Sequence, residues 1–183
     1  MLSLLYGVAA VSSLPHQKLR EIVFLCLFSK DLGGEDTTKL LMETLNVARR
    51  HIAMGEEKAA KVREKRDELD QLIAETSTSY AFERIQWIER NILRLGLFEI
   101  LYDQDVPPKV AIAEALRLCR KFGTSASTAF VNAVLDALYK RNTGEKVDLR
   151  PVGQASDALA ASETLIEKIA PTLHETSGEP ASQ

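Results

Sequence analysis

Carboxylates, thiols and imidazoles are the groups from which a reaction centre is usually built. In this 183-residue sequence none of them is spaced as one. Asp103 and Asp105 form a carboxylate pair of the kind that general acid–base chemistry uses in a cleft. They sit beside a proline turn, however, where capping and surface roles are the simpler reading. Cys26 and Cys119 lie far apart in apolar surroundings, LCLF and LRLCRKF, without metal-type spacing, and read as reduced core thiols. His16, His51 and His174 are scattered. No phosphate loop, dinucleotide glycine pattern, zinc ligand set or nucleophile–base constellation is present. The sequence thus offers no catalytic residue, no metal site and no cofactor site, and binding becomes the chemistry to look for.

Basic side chains are the first candidates for binding. Lys58, Lys61, Arg63, Lys65 and Arg66 cluster within residues 56–76, but acids are interleaved throughout, which marks a solvated helix face. The net charge is −3, whereas a protein that neutralises phosphates alone usually carries a basic excess. Any nucleic-acid binding must therefore come from a local patch or a surface shared with a partner. No segment reaches the ~18 apolar residues of a membrane-spanning helix. Residues 1–14 are uncharged and fairly apolar, but no Lys or Arg precedes the apolar run as it would in a secretory signal. Residues 1–15 are read as a flexible arm.

The elements that would carry a binding surface follow from periodicity and punctuation. After Pro15, residues 16–30 read as a helix with Leu19, Ile22, Val23, Cys26 and Leu27 on one face. Phe24 and Phe28 point to the opposite side, so this helix needs two partners: the core, and either a second helix or another molecule. Gly33-Gly34 breaks the chain. A helix over 35–53 follows, capped by Asp36 or Thr37 and ended by Gly55, and then the charged helix 56–76. Residues 81–102 form the most apolar helix, expected to be central, with Gly96 admitting a close neighbour. Pro107-Pro108 starts the next helix, with Ile112, Ala115, Leu116, Cys119 and Phe122 buried and Gly123 as a left-handed cap. Ser125 caps a further helix whose core stripe is Val131, Val134, Leu135 and Leu138. Ala126, Ala129, Ala133 and Ala137 form a small-residue stripe opposite, against which a helix over 155–170 is expected to fold. Residues 174–183 read as disordered. No strand alternation of comparable strength appears, so the class is all-α.

Three pieces occur in a fixed order: Glu89-Arg90-Asn91-Ile92-Leu93-Arg94, then Asp105-Val106-Pro107-Pro108-Lys109-Val110-Ala111-Ile112, then Phe130-Val131-Asn132. In that order they resemble the NusB family of transcription antitermination factors. The resemblance is strong over the middle and later part of the chain and weak over 16–30. It implies a helical bundle of two small subdomains, about 16–76 and 81–142, with residues 143–183 as an extension. It implies a cytoplasmic protein that pairs with NusE, a small-subunit ribosomal protein. The pair binds the boxA element of nascent RNA and joins an RNA polymerase antitermination complex, with no catalytic step. Monomers and homodimers both occur among NusB-like proteins.

Residue by residue, the resemblance places Lys18 and Arg20 where the family has an arginine-rich, RNA-contacting run. Phe130 matches an aromatic near the RNA, where stacking on a base is worth about 1–3 kcal/mol. Phe28, Glu89 and Arg90 fall at the NusE-facing surface, with Glu89 matching an acid that faces NusE. Arg94 matches the arginine of the same motif and is equally suited to a structural ion pair. The thinned basic run leaves a second reading open: a protein-interaction module with little RNA binding of its own. A similar helical domain also precedes the methyltransferase domain of some ribosomal RNA methylases, but the strand and glycine-rich loop of such a domain are not in this sequence.

Overall fold

The computed structural model describes residues 14–34, 37–77 and 79–175. Expectations for residues 1–13, for Asp36 as a cap and for 176–183 fall outside that range. Among the described residues there are eight α-helices, one 3-10 turn (Phe82–Arg84) and no strand. The helices are α1 (His16–Asp31), α2 (Thr38–Leu45), α3 (Arg49–Glu64), α4 (Arg66–Thr76), α5 (Trp87–Tyr102), α6 (Pro108–Phe122), α7 (Ser125–Asn142) and α8 (Arg150–Glu175). The fold class is all-α, as the sequence predicts.

α5 is the central element. It packs against α1, α3, α4, α6 and α7, and every residue from Asn91 to Ile100 is buried. Such all-round burial requires apolar residues on every face, which Ile92, Leu93, Leu95, Leu97 and Ile100 supply. Gly96 admits its neighbours as expected: a Cβ there would stand 3.0 Å from a Leu135 methyl and 3.3 Å from Ala115. α1 packs chiefly on α3 and α5, α6 and α7 on α5 and on each other, and α8 on α7. Val152, Ala155 and Leu159 are buried in this last contact, and Ala137 of the alanine stripe is buried too, while Ala129 stays exposed.

The helix expected over 35–53 is two helices. Asn46, in the left-handed region at φ 51°, ends α2, and α3 runs on through Gly55. Gly55 is therefore no terminator. A Cβ on it would lie 2.3 Å from Ile22 Cγ2, so the glycine is what lets α3 approach α1. The break before α4 is a single residue, Lys65. α5 begins at Trp87 rather than 81, after the 3-10 turn. Gly123 is extended (φ −117°) rather than left-handed, because the chain passes straight from α6 into the cap of α7. That cap is Thr124, not Ser125: its hydroxyl accepts from the Ser127 N–H while Ser127 Oγ accepts from the Thr124 N–H. On α6, Leu118 is fully buried, whereas Ile112, Leu116 and Phe122 are half-buried. Both thiols are buried, and burial pushes Cys26 up to about 11 and Cys119 to about 12, as befits inert core residues.

Candidate RNA edge and partner groove

The first two turns of α1 and the C-terminal half of α6 meet around one carboxylate, Glu21. Its oxygens accept from Arg117 Nη1 and Lys121 Nζ, both at 2.7 Å, and Lys18 Nζ stands 3.9 Å away. Burial raises the Glu21 carboxyl, but the hydrogen bonds from Lys121 and Arg117 outweigh it and hold the group below its usual range. Arg117 also donates to Glu114 and to the Gln17 carbonyl, at 2.9 and 3.0 Å. Lys18 and Lys121 keep substantial side-chain exposure, and Arg120 beside them is exposed. This edge is a local cluster of cations around one carboxylate.

Arg20 does not belong to it. The residue is 6 % exposed, and its Nε donates to both oxygens of Glu99, at 3.1 and 2.9 Å. Glu99 is itself buried and also accepts from Lys58, which reaches on to Asp103 at 2.9 Å. Arg20 therefore ties α1 to α5, and its burial against Glu99 sets it apart from the exposed cations of the edge. Asp103 accepts from Lys58 and from the Asp105 backbone N–H, so the carboxylate pair serves the proline turn. Phe130 is likewise displaced from the RNA surface. Its ring is 0 % exposed and meets Tyr80 edge-on, with centroids 6.0 Å apart, so no base can stack on it. Asn132, two residues on, is exposed.

The other end of α1 opens into an apolar groove of about 370 Å³, walled by Phe28, Trp87, Ile88, Phe122 and Leu159. Phe28 leans on Phe24 with centroids 5.9 Å apart, and Phe24 in turn meets Phe122 at 4.8 Å. The second face of α1 is thus divided: Phe24 is buried inside the chain, and Phe28 is left half-buried at the groove. Trp87 stands at the rim, 37 % exposed. Arg90 holds that rim in place. Its Nη2 donates to the carbonyls of Phe82, Glu83 and Ile85 at 2.8–3.0 Å, and its guanidinium lies over the rings of Phe82 and Trp87. So Arg90 shapes the groove through the turn and Trp87 rather than lining it.

Glu89 does line it. The residue is 5 % exposed. One carboxylate oxygen accepts from Ser127 Oγ in the α7 cap, and Oε2 is buried without a hydrogen-bond partner. Glu163 of α8 lines the same groove, held through Oε2 by the Tyr80 hydroxyl, with Oε1 also buried and unpaired. The burial and the neighbouring Glu163 carboxylate push the Tyr80 hydroxyl well above its ordinary range, so it remains a donor. Sequence reasoning does not single out Trp87, Leu159 and Glu163 as groove residues, nor Tyr80 as the group that holds Glu163. Trp87, a lone exposed-side tryptophan opening a helix, was the one available signal.

Arg94 is a structural residue. It is 2 % exposed and grips Asp70 with Nε and Nη2 at 2.7 and 2.8 Å, while Nη1 reaches Asp31 at 2.7 Å. The arrangement ties α1 and α4 to α5. Among the described residues no group of three or more His, Cys, Asp or Glu side chains could hold a metal ion, and no helix is long and apolar enough to cross a membrane.

Comparison with known proteins agrees with this architecture. The sequence pattern of the NusB family matches residues 17–140, which is α1 to α7 almost whole. The transcription antitermination protein NusB of Desulfosudis oleivorans is 35% identical over 140 residues, covering 73% of this chain and 91% of that protein. The solved structure of NusB from T. maritima superposes with a TM-score of 0.60 at 28% identity, covering 70% of this chain and 92% of that one. A chain in a crystal structure of the antitermination factors NusB and NusE in complex with double-stranded RNA superposes with a TM-score of 0.58 at 26% identity, covering 68% of this chain and 96% of that one.

Proposed function

The chain belongs to the NusB family, and on that premise we propose that it is a transcription antitermination factor that binds boxA-type RNA together with NusE. It acts by binding, without a catalytic step, in support of ribosomal RNA transcription. The observation that carries the reading is the family match across the whole α1–α7 body, which includes both the basic edge and most of the groove. NusE occupies the groove beside Phe28 and Glu89. RNA runs along the edge of Lys18, Arg117 and Lys121. The assembled pair joins RNA polymerase in the cytoplasm, and in the absence of NusE the apolar groove is a surface for self-association into a homodimer.

The alternative, an interaction module that holds NusE but hardly touches RNA, is favoured by two observations: Arg20 is consumed by Glu99, and Phe130 is buried. Binding of a boxA RNA at two salt concentrations, with and without NusE, separates the two. The proposal expects sequence-selective binding only with NusE present. It also expects Lys18→Ala and Lys121→Ala each to weaken that binding and to lower its salt slope by somewhat less than one, about 0.7 per lost contact on a single strand. NusE binding with no RNA binding in either condition would establish the module reading instead.

A further inference from the structure

The groove presents two carboxylates of unusual standing. Glu89 and Glu163 are each anchored through one oxygen by a hydroxyl, Ser127 and Tyr80 respectively, and each keeps a second oxygen that is buried and unpaired. Charged acceptors withdrawn from water without a donor are costly, so each of these two oxygens calls for a donor that the chain itself does not supply. The two come from different parts of the chain. Glu89 lies within the family-matched segment, whereas Glu163 is on α8, beyond residue 140. Around them the walls are apolar and aromatic.

We propose that α8 completes the partner groove, so that an arginine side chain of the protein partner is held between Glu89 and Glu163. The proposal rests on the reading of this groove as the NusE site and adds to it the part played by α8. The chemistry selects the occupant. Two carboxylates repel a phosphate backbone, so the ligand is a protein rather than RNA. A guanidinium presents five donors in a planar fork, enough for both free oxygens at once, and it is more weakly hydrated than an ammonium. It also stacks on aromatic faces, and Trp87, Phe28 and Phe122 offer them here. α8 is fixed for the task, since Val152, Ala155 and Leu159 are buried and Tyr80 holds Glu163.

The test is calorimetric titration of the full chain with purified NusE, comparing wild type with Glu163→Gln. The amide keeps an acceptor for Tyr80, so folding is preserved, and the melting curve checks this. The expected result is an affinity loss of about tenfold or more, because the guanidinium then faces a neutral amide in place of a carboxylate. Because α8 contributes a charge, the salt dependence of NusE affinity should also become shallower, which a purely structural residue would not cause. Equal affinity and equal salt dependence for both proteins would overturn the part given to α8 while leaving NusE binding intact. Tighter binding by Glu163→Gln would overturn it as well, since the carboxylate would then obstruct the partner. Failure of the wild type itself to bind NusE would overturn both this inference and the functional reading beneath it.

Discussion

Replacing Arg94 by alanine tests whether the most heavily partnered arginine in the chain is there for folding or for recognition. Arg94 makes a two-pronged contact to Asp70 and a third to Asp31, and it also donates to Asn91 Oδ1 at 3.2 Å. Its side chain is 3% exposed, against 10% for Asp31 and 18% for Asp70. The acids drive the guanidinium further toward its charged form, although burial opposes this. Truncation would leave two nearly buried carboxylates facing one another. The remaining cation, Arg66, is far more exposed and stands 3.9 and 3.7 Å from them, which is weak compensation. Breaking a buried ion pair from one side costs about 3–5 kcal/mol. For a protein of this size each kcal/mol is worth roughly 2–4 °C, so Arg94→Ala should melt roughly 6–20 °C lower. Urea denaturation followed by far-UV circular dichroism measures the loss directly. Adding Asp70→Asn to Arg94→Ala should recover part of it, because the stranded charge is the larger share of the penalty. NusE and RNA affinities, measured well below the lowered midpoint, should stay at wild-type values. A variant that melts within about 1 kcal/mol of wild type, below the penalty expected for a buried pair, and yet loses binding would refute the structural account of Arg94.

Other consequences concern packing, capping and pH. Gly55→Ala should destabilise by about 1–3 kcal/mol, as overpacking does, because the new methyl meets Ile22 at 2.3 Å; an unchanged urea midpoint would mean α1 and α3 can separate freely. Thr124→Ala removes the hydroxyl half of the α7 capping box and should cost about 1 kcal/mol in the same assay. Glu21 has a folded-state pKa below the ordinary carboxylate value of 4.5, so its ion pairs stabilise the fold fully above that pH and the contribution is lost as pH falls through the lower, folded value. Glu21→Gln should therefore be less stable than wild type at neutral pH, with the gap closing on acidification below about 4.5; a gap constant with pH would show that the charge of Glu21 is not what stabilises the fold.

What the sequence makes legible here is what is encoded locally. The α5 helix is readable because its apolar residues recur at every face, and α6 because Pro107-Pro108 fixes its first turn. Misreadings occur wherever a distant residue decides. Gly55 has the composition of a helix end, yet its role is set by Ile22, which lies on another helix. Asn46 ends α2 in a left-handed conformation that no apolar period announces. Arg20 lies in a solvent-like basic run, but Glu99, 79 positions away, draws it into the core. Phe130 is off the Val131–Val134–Leu138 stripe and so looks exposed, until Tyr80 covers it. Of the six candidate site residues, Lys18 and Phe28 keep accessible side chains, Glu89 lines the groove from a buried position, and Arg90 acts on the rim through Trp87. The site's long-range part, α8 with Leu159 and Glu163, carries no motif at all; only the packing of α8 on α7 brings it there.

The arrangement also explains how a chain of net charge −3 can serve an RNA complex. The basic edge and the acidic groove are not separate provinces. Lys121 belongs to the first and Phe122 to the second, and the Lys121 ammonium lies 5.3 Å from the centre of the Phe122 ring. α1 links them as well: Lys18 and Phe28 are ten residues apart on one helix, about 15 Å along its axis. A partner seated against Phe28 and Glu89 therefore begins where the row of cations ends. Cations supplied by that partner would extend the edge rather than start a second one, and the electrostatic attraction for phosphate would be assembled only when the partner is in place. A free chain has little hold on RNA along this edge by itself, since Glu21 already engages Lys121 and Arg117. On this geometry, dependence of RNA binding on the partner follows from where the charges sit, with no conformational change required.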